Sequence, residues 1–220
     1  NRYLPQASVV RQLIEQGALG TPELMLVDFC QDQTADPRKW DPSHGTIMFD
    51  MGIYPVSFAL EFLGYPTQIR AMGQLHSNGT EAEATVLLNF ESGARAIFTL
   101  SGLTHAPHHA TIAGSEGIVE YLTPFVVPSG VSFIPTGFNQ PATTWRDEFE
   151  PRGHQGLSYE ATVFAQYVGE NLTESPLHPH EQSIQALKIV REIVSQLGVT
   201  YLNDSQCETL SYHHTTHLIL

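Results

Sequence analysis

Between Thr67 and Thr123 the chain breaks into five short runs, TQIRAMGQLH, EATVLLNF, ARAIFTLSGL, HHATIAG and GIVEYLT. Each is rich in β-branched or aliphatic residues and too short to pay for an isolated helix. Turn chemistry separates them, with Ser77-Asn-Gly-Thr80 and Glu91-Ser-Gly93 as the clearest examples. Gaps of a few residues between successive strands imply antiparallel hairpins. Further β material is expected from Pro124 to Pro135 and from Thr143 to Glu150.

Helical patterns bracket this run. Gln6 to Gln16 spaces Val9, Val10, Leu13 and Ile14 for one face and stops at Gly17. Glu23 to Gln31, ELMLVDFCQ, reads as a strand. Leu157 to Glu170 returns to helix, and Glu181 to Leu197 carries a wide apolar face of Ile184, Leu187, Ile189, Val190, Ile193, Val194 and Leu197. The order predicts an α+β fold, with an open, mostly antiparallel sheet and helices packed on one face. One domain over residues 1–202 and a tail over 203–220 account for the whole length, without repeats or linkers.

A net charge of −13 repels nucleic-acid backbones and anionic membrane surfaces, so neither is an expected partner. No stretch reaches the roughly 18 consecutive apolar residues that a membrane span needs. Cys30 and Cys207 are too few for a disulfide framework, and no secretory leader opens the chain, so the cytoplasm is the expected location.

One apolar segment carries unexpected polar residues. HGTIMFDMGIYPVSFALEFLG, from His44 to Gly64, lacks period-2 alternation and is too long for a strand, so it reads as a largely buried helix that Pro55 kinks or restarts. Asp50 and Tyr54 stand four residues apart and so emerge from one helix face. Spacing alone leaves two readings open. In one they are structural, a buried aspartate satisfied by backbone donors and a core tyrosine. In the other a desolvated carboxylate beside a phenol orients a substrate hydroxyl, with Gly52 leaving room for a ligand.

A tyrosine that deprotonates an alcohol normally works beside a cation, because its own pKa lies near 10. Lys39 and Lys188 are the only lysines. No Gly-x-Gly-x-x-Gly or P-loop is present, so nothing in this sequence cradles nucleotide phosphates. The eleven histidines form no His-Glu-x-x-His and meet no carboxylate at ligand spacing, so no metal site is expected. No Gly-x-Ser-x-Gly elbow supports hydrolysis by a serine nucleophile.

The segment DPRKWDPSHGTIMFDMGIYPVSFALEFLGYP, Asp36 to Pro66, resembles the substrate domain of the Gfo/Idh/MocA oxidoreductases, in their dihydrodiol and xylose dehydrogenase branch. RYLPQASVVRQLIEQGALG, ATIAGSEGIVEY, GLSYEA and ESPLHPHEQSIQALKIVREI follow the same pattern in order. The resemblance implies an upstream Rossmann domain that binds NAD or NADP and supplies the catalytic lysine. That domain is absent from these 220 residues, and the lack of a starting Met favours a truncated chain over a natural short protein. The fragment alone is then expected to be inactive.

By the same resemblance the substrate is a sugar, polyol or cyclic diol. Tyr54 and Asp50 are the catalytic pair, with Tyr54 positioning or deprotonating the reacting hydroxyl. Arg38, Trp40 and Tyr159 line the substrate cleft, and the open sheet is a homodimer face. Where relatives carry a run of glycines this chain has Ser43-His44-Gly45-Thr46. That departure implies a changed substrate preference with His44 joining the site, or a degraded site. A stand-alone ligand-binding or dimerisation module without catalysis is the alternative.

Overall fold

The computed structural model describes residues 2–41, 46–137, 139–149 and 151–199. Four α-helices, α1 (Pro5–Glu15), α2 (Ile53–Leu63), α3 (Leu157–Gly169) and α4 (His180–Gln196), accompany eight strands. The strands are β1 (Pro22–Cys30), β2 (Gln68–Leu75), β3 (Glu81–Asn89), β4 (Arg95–Ser101), β5 (Ala110–Gly114), β6 (Gly117–Tyr121), β7 (Gly130–Pro135) and β8 (Thr143–Arg146). All eight form one sheet in the order β2-β3-β4-β1-β5-β6-β7-β8. The α+β class expected from the sequence is the observed one.

The sheet departs from simple hairpin succession at one place. β1 lies between β4 and β5, parallel to the first and antiparallel to the second. The physical reason is the composition of β1. Met25, Val27 and Phe29 bury on one face, and an edge position would leave so apolar a strand with unpaired backbone. The expected hairpins form elsewhere, β2–β3–β4 on one side and β5–β6–β7–β8 on the other. Gly79 and Gly93 turn the first two with φ of 86° and 87°, backbone that favours glycine.

One sheet face holds the core. Val27, Phe29, Val86, Leu88, Phe98, Leu100, Ile112 and Val119 point to the helices and are at most 7% exposed. α2 and α4 pack on each other, and α4 also lies on β2, where Gln196 bridges to the backbone of Ile69 and Ala71. α4 buries Ala186, Ile189, Val190, Ile193 and Val194, but Ile184 and Leu187 are about half exposed, so its apolar face is narrower than its sequence predicts.

α3 differs more. It forms over the expected residues yet buries none of them, and Leu157, Phe164 and Val168 are 56–67% exposed. Helical periodicity reported the helix correctly, but it carries no information on what the apolar face meets.

The helix expected over the His44 segment is split. Met48–Gly52 is a π-helical turn, and α2 begins at Ile53. Pro55 therefore falls in the first turn of α2, where its missing N–H costs little, and the wide turn before it relieves the clash of its ring with the preceding backbone. Pro42 to Gly45, including His44, lie outside the described residues, as does the 203–220 tail.

Candidate functional site

A cleft of about 510 Å³ opens beside α2, lined by Tyr3, Phe29, Gln31, Tyr54, His108 and Glu160 among others. Its floor is Phe29, which ends an aromatic chain running out of the core. Phe58 meets Tyr121 at 5.0 Å and Phe125 at 5.8 Å, and Phe125 meets Phe29 at 5.6 Å, each edge to face. Phe29 in turn contacts Tyr54 at 5.5 Å and 90° and His108 at 4.7 Å and 76°. A rigid core thus fixes an apolar platform with a phenol and an imidazole against it.

Tyr54 is 42% exposed and lines this cleft. Its ring is held by Phe29, and among the described residues its hydroxyl has no hydrogen-bond partner. A phenol held by its ring with a free hydroxyl is placed to meet an exogenous hydroxyl or carbonyl.

Asp50 is not buried, which corrects the desolvated carboxylate weighed from sequence. Its side chain is 42% exposed and pairs with Lys39, Nζ to Oδ2 at 2.7 Å. The widened π turn carries it on the outer side of the segment, where a cation from the preceding 3₁₀ turn, Pro37–Trp40, reaches it. Lys39 was visible in the sequence only as one of two lysines. Its pairing depends on how the 37–41 loop folds back, for which no spacing rule exists.

Gly52 also has a different role from the one expected. A Cβ there would meet the Met48 methyl at 2.4 Å and Leu100 at 3.1 Å, so the missing side chain makes room for Met48 rather than for a ligand. Beneath this turn the buried carboxylate of Glu81 accepts from the Thr46 hydroxyl and, at 2.9 Å, from the Met48 N–H. Charge-assisted bonds from a carboxylate to the start of a helical segment fix its entry angle, and with it the direction of Tyr54.

Arg38 and Trp40 are not brought to the cleft wall. The Arg38 guanidinium, 81% exposed, forks onto Asp36 at 2.8 and 3.0 Å. That bond holds the Asp36 carboxyl down at about 2. Trp40 is buried, donates Nε1 to the Gln33 carbonyl at 3.0 Å and stacks on His76 at 4.6 Å.

Tyr159 points to Asp147, donating its hydroxyl to Oδ2 at 2.5 Å. Desolvation, then that bond and the carboxylate charge, push the phenol up to about 12. A raised folded-state value means that the contribution of this bond to stability is present below about pH 10 and is lost as pH rises through 12. Tyr159 is thus fully protonated at neutral pH.

Sequence reasoning missed Phe29, His108 and Glu160. Phe29 looked like an ordinary inward residue of a strand, and its alternation with Val27 is indeed that of a core position. His108 reaches it only because β5 pairs with β1, with Asp28 and His109 exchanging backbone bonds at 2.9 and 3.1 Å. Among the described residues no group of three or more His, Cys, Asp or Glu is arranged to hold a metal ion.

The profile of the GFO/IDH/MocA C-terminal domain matches residues 8–120, just over half of the chain. The chain belongs to the Gfo/Idh/MocA family. Rabbit (Oryctolagus cuniculus) trans-1,2-dihydrobenzene-1,2-diol dehydrogenase is 29% identical over 208 residues, covering 92% of this chain and 63% of the rabbit protein. The human enzyme is 26% identical over 208 residues, covering 93% and 62%. The chain therefore spans less than two thirds of the length of these relatives.

Among solved structures, levoglucosan dehydrogenase in complex with NADH and levoglucosan superposes with a TM-score of 0.76 at 16% identity, covering 90% of this chain and 62% of that one. Aldose-aldose oxidoreductase from Caulobacter crescentus gives 0.71 at 18% identity, covering 89% and 59%. At such identities the likeness is one of fold, and the fold is that of the Gfo/Idh/MocA sheet domain.

Proposed function

We propose that this chain is the substrate-binding and dimerising half of an NAD(P)-dependent oxidoreductase that moves hydride between a nicotinamide and a hydroxyl of a sugar, polyol or cyclic diol. The observation that carries this is the unpartnered Tyr54 hydroxyl on an aromatic-floored cleft, one turn past an Asp50–Lys39 pair, in a Gfo/Idh/MocA domain. The dihydrodiol dehydrogenases among its relatives supply the substrate class.

The residues fit a substrate and not the dinucleotide's phosphates. Among the described residues α2 and α3 each continue from a preceding wide or tight helical turn, and α1 and α4 follow Leu4 and Pro179, so none opens directly from a strand through a glycine-rich turn. A bound nicotinamide supplies the hydride acceptor or donor. Phe29, only 7% exposed, closes the apolar floor beneath the carbon ring of the substrate. Tyr54 holds the reacting hydroxyl and takes or returns its proton at Oη. Asp50, held by Lys39 one turn before Tyr54, lies outside the residues that line the cleft and offers an acceptor to a substrate that extends past Tyr54. The apolar side chains that α3 leaves exposed, Leu157, Phe164 and Val168, begin at the cleft with Leu157, and they supply a surface for the nucleotide-binding half.

Full-length protein containing this chain, assayed with NAD and NADP against levoglucosan, D-xylose and a cyclic trans-diol, is expected to oxidise at least one of them. No turnover with any alcohol or sugar, with binding of the same compounds by the 220-residue chain, would favour the non-catalytic module.

Homodimerisation through the free sheet face belongs to the same proposal. Leu26, Met72 and Ile118 are 40–73% exposed there, among Thr85, Ile97, Thr99 and Thr111 and the charged Asp28, Arg70, Glu83, Arg95 and Glu120. An open face that mixes apolar, hydroxyl-bearing and oppositely charged side chains suits an isologous contact. Leu26→Lys, at its centre, is expected to turn a dimer into a monomer in analytical ultracentrifugation without loss of helical circular dichroism. A wild-type monomer at all concentrations would remove this part.

A further inference from the structure

His108 stands in the segment between β4 and β5, half buried on the wall of the cleft. Its backbone is clamped, with its carbonyl accepting from Phe125 N–H at 2.9 Å and the next residue paired to Asp28. Its ring packs on Phe29, and Nε2 lies 3.1 Å from the Cys30 carbonyl oxygen. A carbonyl only accepts, so Nε2 carries the proton. In the uncharged form of such a ring Nδ1 is a bare acceptor, and no described residue donates to it. A half-buried imidazole with its tautomer fixed by the backbone differs from a surface histidine that swings in solvent.

We propose that His108 is a specificity-determining residue, whose Nδ1 accepts a hydrogen bond from a second hydroxyl of the molecule that presents its reacting hydroxyl to Tyr54. The inference rests on the cleft's role proposed above and adds a requirement to it. Tyr54 and His108 both pack on Phe29 and both line the cleft, so a ring bound in the cleft meets a donor-acceptor hydroxyl and an acceptor at once. An alcohol with a single hydroxyl satisfies only one of them and leaves Nδ1 desolvated and unpaired.

The test uses the 220-residue chain with 15N-labelled histidine and 13C-labelled tyrosine, titrated with trans-1,2-cyclohexanediol and, separately, cyclohexanol. Without ligand, His108 is expected as the Nε2-protonated tautomer. The diol is expected to shift its Nδ1 resonance, while cyclohexanol perturbs Tyr54 and leaves Nδ1 in place. His108→Gln keeps an N–H for the Cys30 carbonyl but places no acceptor where Nδ1 stood. It is expected to weaken diol binding about tenfold and cyclohexanol binding hardly at all.

An Nδ1-protonated tautomer, diol binding that leaves Nδ1 unmoved, or equal weakening of both alcohols in His108→Gln would overturn the role of His108. In those cases a Tyr54 response to the alcohols still supports the cleft as the substrate site. If neither alcohol moves Tyr54 or His108, the site itself falls, and this role with it.

Discussion

On the proposed function, replacing Tyr54 by phenylalanine is expected to lower kcat by about 10²–10⁴-fold, the range that a positioned proton-transfer group supplies. The ring, its edge-to-face contact with Phe29 and the α2 backbone are all retained by phenylalanine, so the melting temperature should stay within a degree or two. Only the hydroxyl is lost, and among the described residues it has no partner to strand. The loss should fall on kcat more than on KM, because a proton in flight is felt in the transition state. Lys39→Ala gives a graded companion. It releases Asp50, which is already partly solvated, and should reduce kcat/KM by a few fold at most, with a smaller effect in high salt. Wild-type kinetics in Tyr54→Phe would place the chemistry away from this cleft.

The parts of the fold that the sequence announces are those with local causes. Hairpin turns with Asn-Gly and Ser-Gly, helix stops at glycine and the period of α1 and α4 are set within a few residues, and all of them appear. The insertion of β1 between β4 and β5 is not local. It joins Val27 to both Phe98 and Ala110, residues roughly seventy and eighty positions away, and it follows from the demand of an apolar strand for two neighbours.

The site was legible to the same degree. Asp50 and Tyr54 are flagged by their spacing and by resemblance, whereas His108 and Lys39 arrive through the β1–β5 pairing and a loop. Asp50 illustrates the limit of pattern reasoning. The surrounding residues are apolar, yet a π turn aims this one side chain outward to a lysine, so composition overstated its burial. Trp40 and Arg38 show the converse, since nearness in sequence to the motif does not carry their side chains to the cleft.

The largest stability effect is expected at Arg2. Its guanidinium is buried, donates to the Leu177 carbonyl at 2.9 Å, the Ser57 carbonyl at 3.0 Å and the Gln182 side chain, and lies 3.8 Å from Glu61. Glu61, with a side chain only 7% exposed, also pairs with Arg11 at 2.5 Å. One residue therefore ties the start of the chain to α2, to the segment before α4 and to α4 itself. Arg2→Ala strands two carbonyls and removes one of two cations from a buried carboxylate. Breaking such a network costs about 3–5 kcal/mol, or roughly 6–20 °C in Tm for a chain of this size. The sign of the pH dependence separates this from simple loss of packing. Burial raises the Glu61 carboxyl above its ordinary value, against the pull of Arg2 and Arg11. A carboxyl raised in the folded state favours folding below its unfolded value, and that contribution is lost as pH rises through the folded one. Losing Arg2 raises it further, so the deficit of Arg2→Ala should be greatest at neutral pH and shrink as the solution is acidified and Glu61 takes up its proton. A deficit that is constant with pH would assign the loss to the carbonyl bonds and packing alone, and an unchanged Tm would mean that the buried network adds nothing to the fold.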